Sequence, residues 1–279
     1  MAYWSWFAAR LSMAAALAAA SPGVAAINRT FLIEKSYYVQ GSNADVAFST
    51  TFMLAQVQTT AFDDYDSGSF DTPGPAGRLA LTPPTDPAYP VFVAFSGSYN
   101  DPASRDADFP LGTYGFTLNN AVTGATEAVT ASRTGDYSPI APRLANFSAL
   151  AAIDPGQPFT FRLAAGLPLA TPGGAAVFSV FDTATNLGFT DQGVGSADHV
   201  DVAAGTFQRG HHYIYDILFV SEALHVDPAT GIYASEDSFV FTRGSFTLAT
   251  IPEPRTWALL VTGFGAVGAA QRRRRRLPT

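Results

Sequence analysis

Phe207-Gln-Arg-Gly210-His-His-Tyr213-Ile-Tyr215-Asp-Ile217 is the stretch that decides how the middle of this 279-residue chain folds. It opens on a large apolar residue, breaks at a glycine and then alternates. Tyr213, Tyr215 and Ile217 are two residues apart, so in an extended strand they share one face, while Ile214 and Asp216 take the other. The same period of two recurs in Phe159, Phe161 and Leu163, in Phe239 and Phe241, and in Phe246 and Leu248. Further strands are predicted at 29–35, 45–54, 91–98, 112–119 and 175–181, which are runs of apolar and β-branched residues between Gly, Pro, Asn and Asp clusters. From residue 27 to the C-terminal tail no stretch keeps a helical period for twelve residues. The body is therefore predicted to be all-β and built of sandwiches.

Ser138-Pro-Ile-Ala-Pro142 reads as a proline-bounded linker. It divides the body into two β-sandwich-like modules, 27–138 and 139–250, the second opening on a strand over Leu144–Leu150. Within that second module, Phe207, Gly210 and Tyr213 fall at steps of three, followed by alternating Tyr215 and Ile217. This pattern resembles the corner of immunoglobulin and fibronectin type III domains. The resemblance implies that the Tyr213 hydroxyl bonds back to nearby backbone. Arg209 stands where that corner usually has proline. The first module shares composition with the second but no motif.

The two ends have a different character. Arg10 precedes an alanine-rich apolar run, Leu11–Ala20, which Ser21-Pro-Gly23 breaks before the small residues Val24-Ala-Ala26. Residues 1–26 thus have the layout of a secretory signal peptide, the substrate of Sec export and signal peptidase. At the other end, Pro252-Glu253-Pro254 precedes an uncharged stretch, Thr256–Gln271, and then five arginines, Arg272, Arg273, Arg274, Arg275 and Arg276. As a helix, residues 256–271 would reach roughly 24 Å, short of a bilayer core of about 30 Å. Trp257 at one interface and snorkelling arginines at the other make up part of the difference. The arginine run predicts a cytoplasmic C-terminus and a body outside the inner membrane. Gly263, Gly265 and Gly268 suit an ordinary membrane helix and equally a smooth face for a partner helix.

Pro252-Glu253-Pro254, Trp257-Ala258, Gly263-Phe264-Gly265, Gly268 and the terminal arginines together resemble the PEP-CTERM sorting signal in its PEPxxWA form. The resemblance covers residues 251–279. It implies a Gram-negative host that makes exopolysaccharide, and recognition by exosortase, a membrane-embedded cysteine protease/transpeptidase that processes near the Pro-Glu-Pro motif. It also implies an inner-membrane intermediate that becomes a surface or extracellular protein, commonly of the biofilm matrix. Physically, the two prolines bar helix around Glu253 and leave an extended segment just outside the bilayer, the form a protease groove binds.

Charge narrows the partners. Of sixteen Lys and Arg, five form the terminal run and Arg10 and Arg255 also lie outside the body, leaving nine basic against twenty-two acidic side chains over 27–250. A body near −13 is no nucleic-acid surface. It leaves room for cations. Asp63, Asp64, Asp66 and Asp71 crowd one loop, and a hard cation such as calcium takes several oxygens from loops of this kind. The spacing departs from the EF-hand, and solvated turns have the same composition. Asp101, Asp106 and Asp108 form a second cluster with the same two readings. His211 and His212 are adjacent, so a strand points them to opposite faces and they do not share a metal. Tyr37, Tyr38, Tyr65 and Tyr89 suit sugar stacking or an ordinary core.

With no cysteine there is no thiol chemistry, and no G-x-S-x-G, phosphate loop or dinucleotide fingerprint is present. The expectation is a non-enzymatic, exported surface protein, structural or adhesive in an exopolysaccharide matrix and without a cofactor unless calcium binds. Two alternatives stand beside it: an extracellular carbohydrate- or calcium-binding module, and a secreted hydrolase.

Overall fold

A computed structural model describes residues 27–135, 141–164, 175–192 and 198–250, together with Thr262 and Phe264. In chain order its strands are β1 (Ile27–Gln40), β2 (Val46–Thr59), β3 (Ser67–Asp71), β4 (Arg78–Leu81), β5 (Val91–Phe95), β6 (Gly112–Asn119), β7 (Thr126–Arg133), β8 (Phe159–Arg162), β9 (Ala175–Asp182), β10 (Gly188–Gln192), β11 (His199–Val202), β12 (His212–Val226) and β13 (Tyr233–Thr247). One short helix, α1 (Pro102–Asp108), lies between β5 and β6, and a 3-10 turn covers Phe147–Ala152. The expected signal peptide and the sorting motif lie outside the described residues, as does the expected membrane span apart from Thr262 and Phe264, which are helical. Among the described residues no helix is long and apolar enough to cross a membrane.

The protein is all-β. Its backbone is a seven-stranded sheet in the order β10-β9-β12-β13-β1-β2-β5, with a four-stranded sheet, β4-β3-β6-β7, and a two-stranded one, β11-β8. The halves on either side of residue 138 contribute to the same large sheet. β1 from the first half lies parallel to β13 from the second, in register from Arg29 opposite Tyr233 to Val39 opposite Arg243. The runs at 239–241 and 246–248 belong to one 15-residue strand.

The inner face of the large sheet carries two cores. Leu32, Met53, Val57 and Phe92 meet Phe70, Tyr114, Phe116 and Val129 of the four-stranded sheet. Phe178, Tyr215, Ile217 and Phe246 meet Phe161 and Val200 of the two-stranded one. Between the two cores the same inward positions turn polar: Glu34 and Ser36 on β1, Thr51 on β2, Ser221 on β12, and Glu236, Ser238 and Thr242 on β13 are all buried. Two lobes thus share one set of strands. Gln40, at the end of β1, ties them together: its amide accepts from Leu144 N–H at 2.9 Å and from the Tyr215 hydroxyl at 2.8 Å, and donates to the Leu144 carbonyl at 2.7 Å.

Each lobe is closed by a tyrosine. Tyr213 accepts the Gln208 N–H at 2.7 Å, the backbone bond implied by the corner motif, and Gly210 takes the positive φ of +81° that the turn needs. The first half has a counterpart that the sequence reading did not anticipate, in which the Tyr114 hydroxyl donates to the Pro110 carbonyl at 2.5 Å. The strand expected over Leu144–Leu150 is not formed. Only Leu144 bridges, to Leu163. Asn146 then holds the chain off the ladder by donating to the Thr160 carbonyl and accepting from Arg162 N–H, and the 3-10 turn follows.

Candidate functional site

The acidic loop does not converge on one point. Asp64 accepts from the Thr60 hydroxyl and the Ala61 amide, both at 2.8 Å. Asp66 accepts from the Ala121 amide at 2.6 Å, and Asp71 forms a two-pronged pair with Arg78 at 2.6 and 2.9 Å. Asp63 is exposed. Three of the four aspartates thus hold turns or a strand end, and among the described residues no three His, Asp or Glu side chains gather as a metal cluster. The second acidic cluster divides likewise. Asp101 caps α1 through the Ser104 amide at 2.8 Å, and Asp108 accepts from the Tyr99 hydroxyl at 2.8 Å. His211 and His212 point apart, to Asp182 and to Thr247 respectively.

Asp106 belongs to a different structure. Glu34, in the middle of β1, is buried between two guanidinium groups, Arg105 of α1 at 2.5 Å and Arg133 of β7 at 3.1 Å. Arg105 and Arg133 both also reach Asp106 at 2.7 Å. Arg105 further donates to the Thr51 hydroxyl at 2.6 Å, and Arg133 to the Phe109 carbonyl. Glu236 on β13 lies 4.0 Å from Arg133 and accepts the Thr134 amide and hydroxyl at 2.7 and 2.8 Å. Of these residues only Asp106 stands out in the sequence, as part of an acidic cluster. Here they are the polar seam that docks the four-stranded sheet and α1 on the large one. Each carboxylate in the seam is held by a guanidinium group or a backbone amide.

Asp227 makes a second tie of this kind, from the β12–β13 turn to β7. It accepts from the Thr130 amide and hydroxyl and from the Ala229 and Thr230 amides. Burial alone would raise its carboxyl, but those hydrogen bonds outweigh the burial and hold it at about 2.

The outer face of the large sheet carries a third apolar cluster. Phe31, Ile33, Leu54, Leu218 and Phe239 are buried there, ringed by half-buried Phe52, Val93, Val177, Val220 and Phe241. All ten side chains come from this one sheet. Tyr37 stacks on Phe241 at 4.8 Å between ring centres and on Phe52 at 5.8 Å, and Phe52 meets the edge of Phe95 at 5.1 Å. Tyr37 therefore joins an aromatic row on this face, Tyr38 packs against Phe48, Tyr65 is buried beside Glu127, and Tyr89 remains exposed.

Charges close both ends of this face. Arg243 grips Asp216 at 2.7 and 2.8 Å at one end. At the other, Arg29 pairs with Glu222 at 2.5 Å and lies over the Phe31 ring. Asp237, opposite Glu222 in the ladder, is 1% exposed, and neither of its carboxylate oxygens lies within full hydrogen-bond geometry of a partner among the described residues, Ser235 being the nearby hydroxyl. Burial, reinforced by the Glu222 charge, raises its carboxyl to about 7. Lys35 lies over the Phe239 ring, and burial lowers its ammonium.

The chain matches no protein-family model, and comparison with curated proteins finds no match.

Proposed function

We propose that the chain is an exported, non-enzymatic surface protein, sorted by exosortase through its C-terminal segment and structural or adhesive in an exopolysaccharide matrix. The observation that carries this reading is the ordered tail: Pro252-Glu253-Pro254, Trp257, an uncharged stretch to Gln271, and Arg272–Arg276. An apolar helix halted by cations that lipid excludes leaves the acidic body on the far side of the membrane, next to a segment that prolines keep extended. The body supports the same reading. Its lobes are small sheet-on-sheet layers of the sort used in cell-surface proteins, and the Tyr213–Gln208 bond favours a fibronectin type III-like second lobe.

The test is to replace Pro252, Glu253 and Pro254 by alanine in the native host. Export is expected to continue while processing stops, so that the uncleaved form collects in the inner membrane. Normal maturation of that variant contradicts the reading.

A further inference from the structure

At the Arg29 end of the outer face one guanidinium stands between two carboxylates. β13 lies between β1 and β12 in the sheet. Arg29 is level with Tyr233 across the β1–β13 ladder, and Glu222 is level with Asp237 across the β12–β13 ladder. The Arg29–Glu222 bond therefore slants over β13 and passes Ser235, which lies between those two levels on the same face. Ser235 and Asp237 are each 1% exposed. The Asp237 oxygens, the Ser235 hydroxyl and the Arg29 Nε all lack a full hydrogen bond among the described residues. A buried carboxyl so placed is held as the neutral acid, because the anion would have neither water nor a bonded partner. We propose that Arg29 is a proton-controlled latch, which holds Glu222 while Asp237 is protonated and turns to Asp237 once that proton leaves.

The charges around Asp237 set the direction of the exchange. From β12 it faces Glu222, which opposes its ionisation, and from β1 it faces Arg29, which favours it. On β13 itself, Glu236 adds an opposing charge from the other face of the sheet. Further along β1, Lys35 lies over the Phe239 ring. β2 brings only the uncharged Gln56 and Gln58, level with Phe31 and Arg29, and the β9 ladder stops at Val220. With Arg29 committed to Glu222, burial and then the Glu222 charge raise the Asp237 carboxyl to about 7. Below that pH, Glu222 is the one anion within reach of Arg29 on this face. Above it two anions compete for one cation. The Glu222 side chain is 26% exposed and keeps water as an alternative partner, whereas Asp237 has none. A buried, unpaired charge costs more than a half-exposed one, so the guanidinium goes to Asp237.

The exchange frees the Glu222 carboxylate beside Leu224, Val226 and Tyr233, which are exposed at the same end of the β12–β13 hairpin. That surface passes from apolar with a paired charge to apolar with a free anion as pH rises through neutrality. The inference does not rest on the sorting of the chain.

The test is an NMR titration of the full-length chain, carrying nitrogen-15 in arginine and carbon-13 in the Asp and Glu carboxyls, from about pH 5 to 9. The Arg29 Nε signal is assigned by its loss in Arg29→Lys, and the two carboxyl signals by Asp237→Asn and Glu222→Gln. The expected result is that Asp237, Arg29 and Glu222 shift together with one shared midpoint. In Asp237→Asn the Arg29 and Glu222 signals are expected to stay at their low-pH positions throughout. In Glu222→Gln, which removes the competing anion, Arg29 is expected to reach its high-pH position at least about one pH unit earlier. An Asp237 signal that titrates while Arg29 and Glu222 stay fixed would overturn the proposal. So would an Asp237 that does not titrate in this range, or an Arg29 shift that persists unchanged in Asp237→Asn.

Discussion

Asp237 is a buried carboxyl on the large sheet whose titration couples folding to pH. A carboxyl raised to about 7 in the folded state, against an ordinary value near 3.8, binds its proton more tightly folded than unfolded. Its contribution to stability is therefore fully present below the unfolded value and is lost as pH rises from about 4 through 7. Asp237→Asn keeps the shape and removes the charge. It is expected to stabilise the protein at pH 8 by about 2–4 kcal/mol and to leave stability at pH 4 nearly unchanged, read from urea unfolding at the two values. Equal effects at both pH values would show that burial does not shift this group. Gly244 makes a steric argument of the same precision. A Cβ there would lie 2.3 Å from the ring of Tyr215, its partner across the ladder. Gly244→Ala is expected to cost about 1–3 kcal/mol. Adding Tyr215→Leu should recover part of that cost, so the two changes measured together are less than additive. Strict additivity would remove the contact from the account.

Among the elements, α1 and β7 depend on the polar seam for their place on the large sheet. Removing Glu34 takes away a carboxylate that both Arg105 and Arg133 grip in the buried seam. Glu34→Leu is expected to destabilise the fold by about 3–5 kcal/mol in chemical unfolding. A loss under 1 kcal/mol would mean that the seam rearranges or admits water. The seam also explains which elements could be read from sequence. Strands with clean alternation, such as 213–217 and 159–163, were legible because their inward positions are apolar. So was the Tyr213 corner, whose spacing is local. β1 and β13 were harder to read, since their inward positions carry Glu34, Ser36, Glu236 and Ser238, the residue types that ordinarily mark a solvated face. The short helix α1 was not predicted, since seven residues are too few to show a helical period. The Leu144–Leu150 run lost its strand to Asn146, whose side chain offered the backbone a local alternative.

At the scale of the whole molecule, the feature local sequence could not reveal is the parallel pairing of β1 with β13, because partner choice between strands two hundred residues apart depends on complete faces rather than on either strand alone. That pairing puts strands from either side of residue 138 in one shared sheet, with a lobe above each of its ends. The candidate surfaces divide in the same way. The acidic loops could be found by composition, but only their hydrogen bonds reveal that Asp64, Asp66 and Asp71 hold turns and strand ends. The outer aromatic face is scattered over six strands and has no linear signature. The tail is the reverse case, since its order of prolines, tryptophan, apolar run and arginines is entirely linear. Mass spectrometry of the protein recovered from its native host tests the central claim most directly. The account predicts a mature N-terminus close to Ile27 and a C-terminus cut near Pro252–Pro254, with the arginine run gone. An intact polypeptide in the cytosol, carrying both Met1 and Arg272–Arg276, would contradict it.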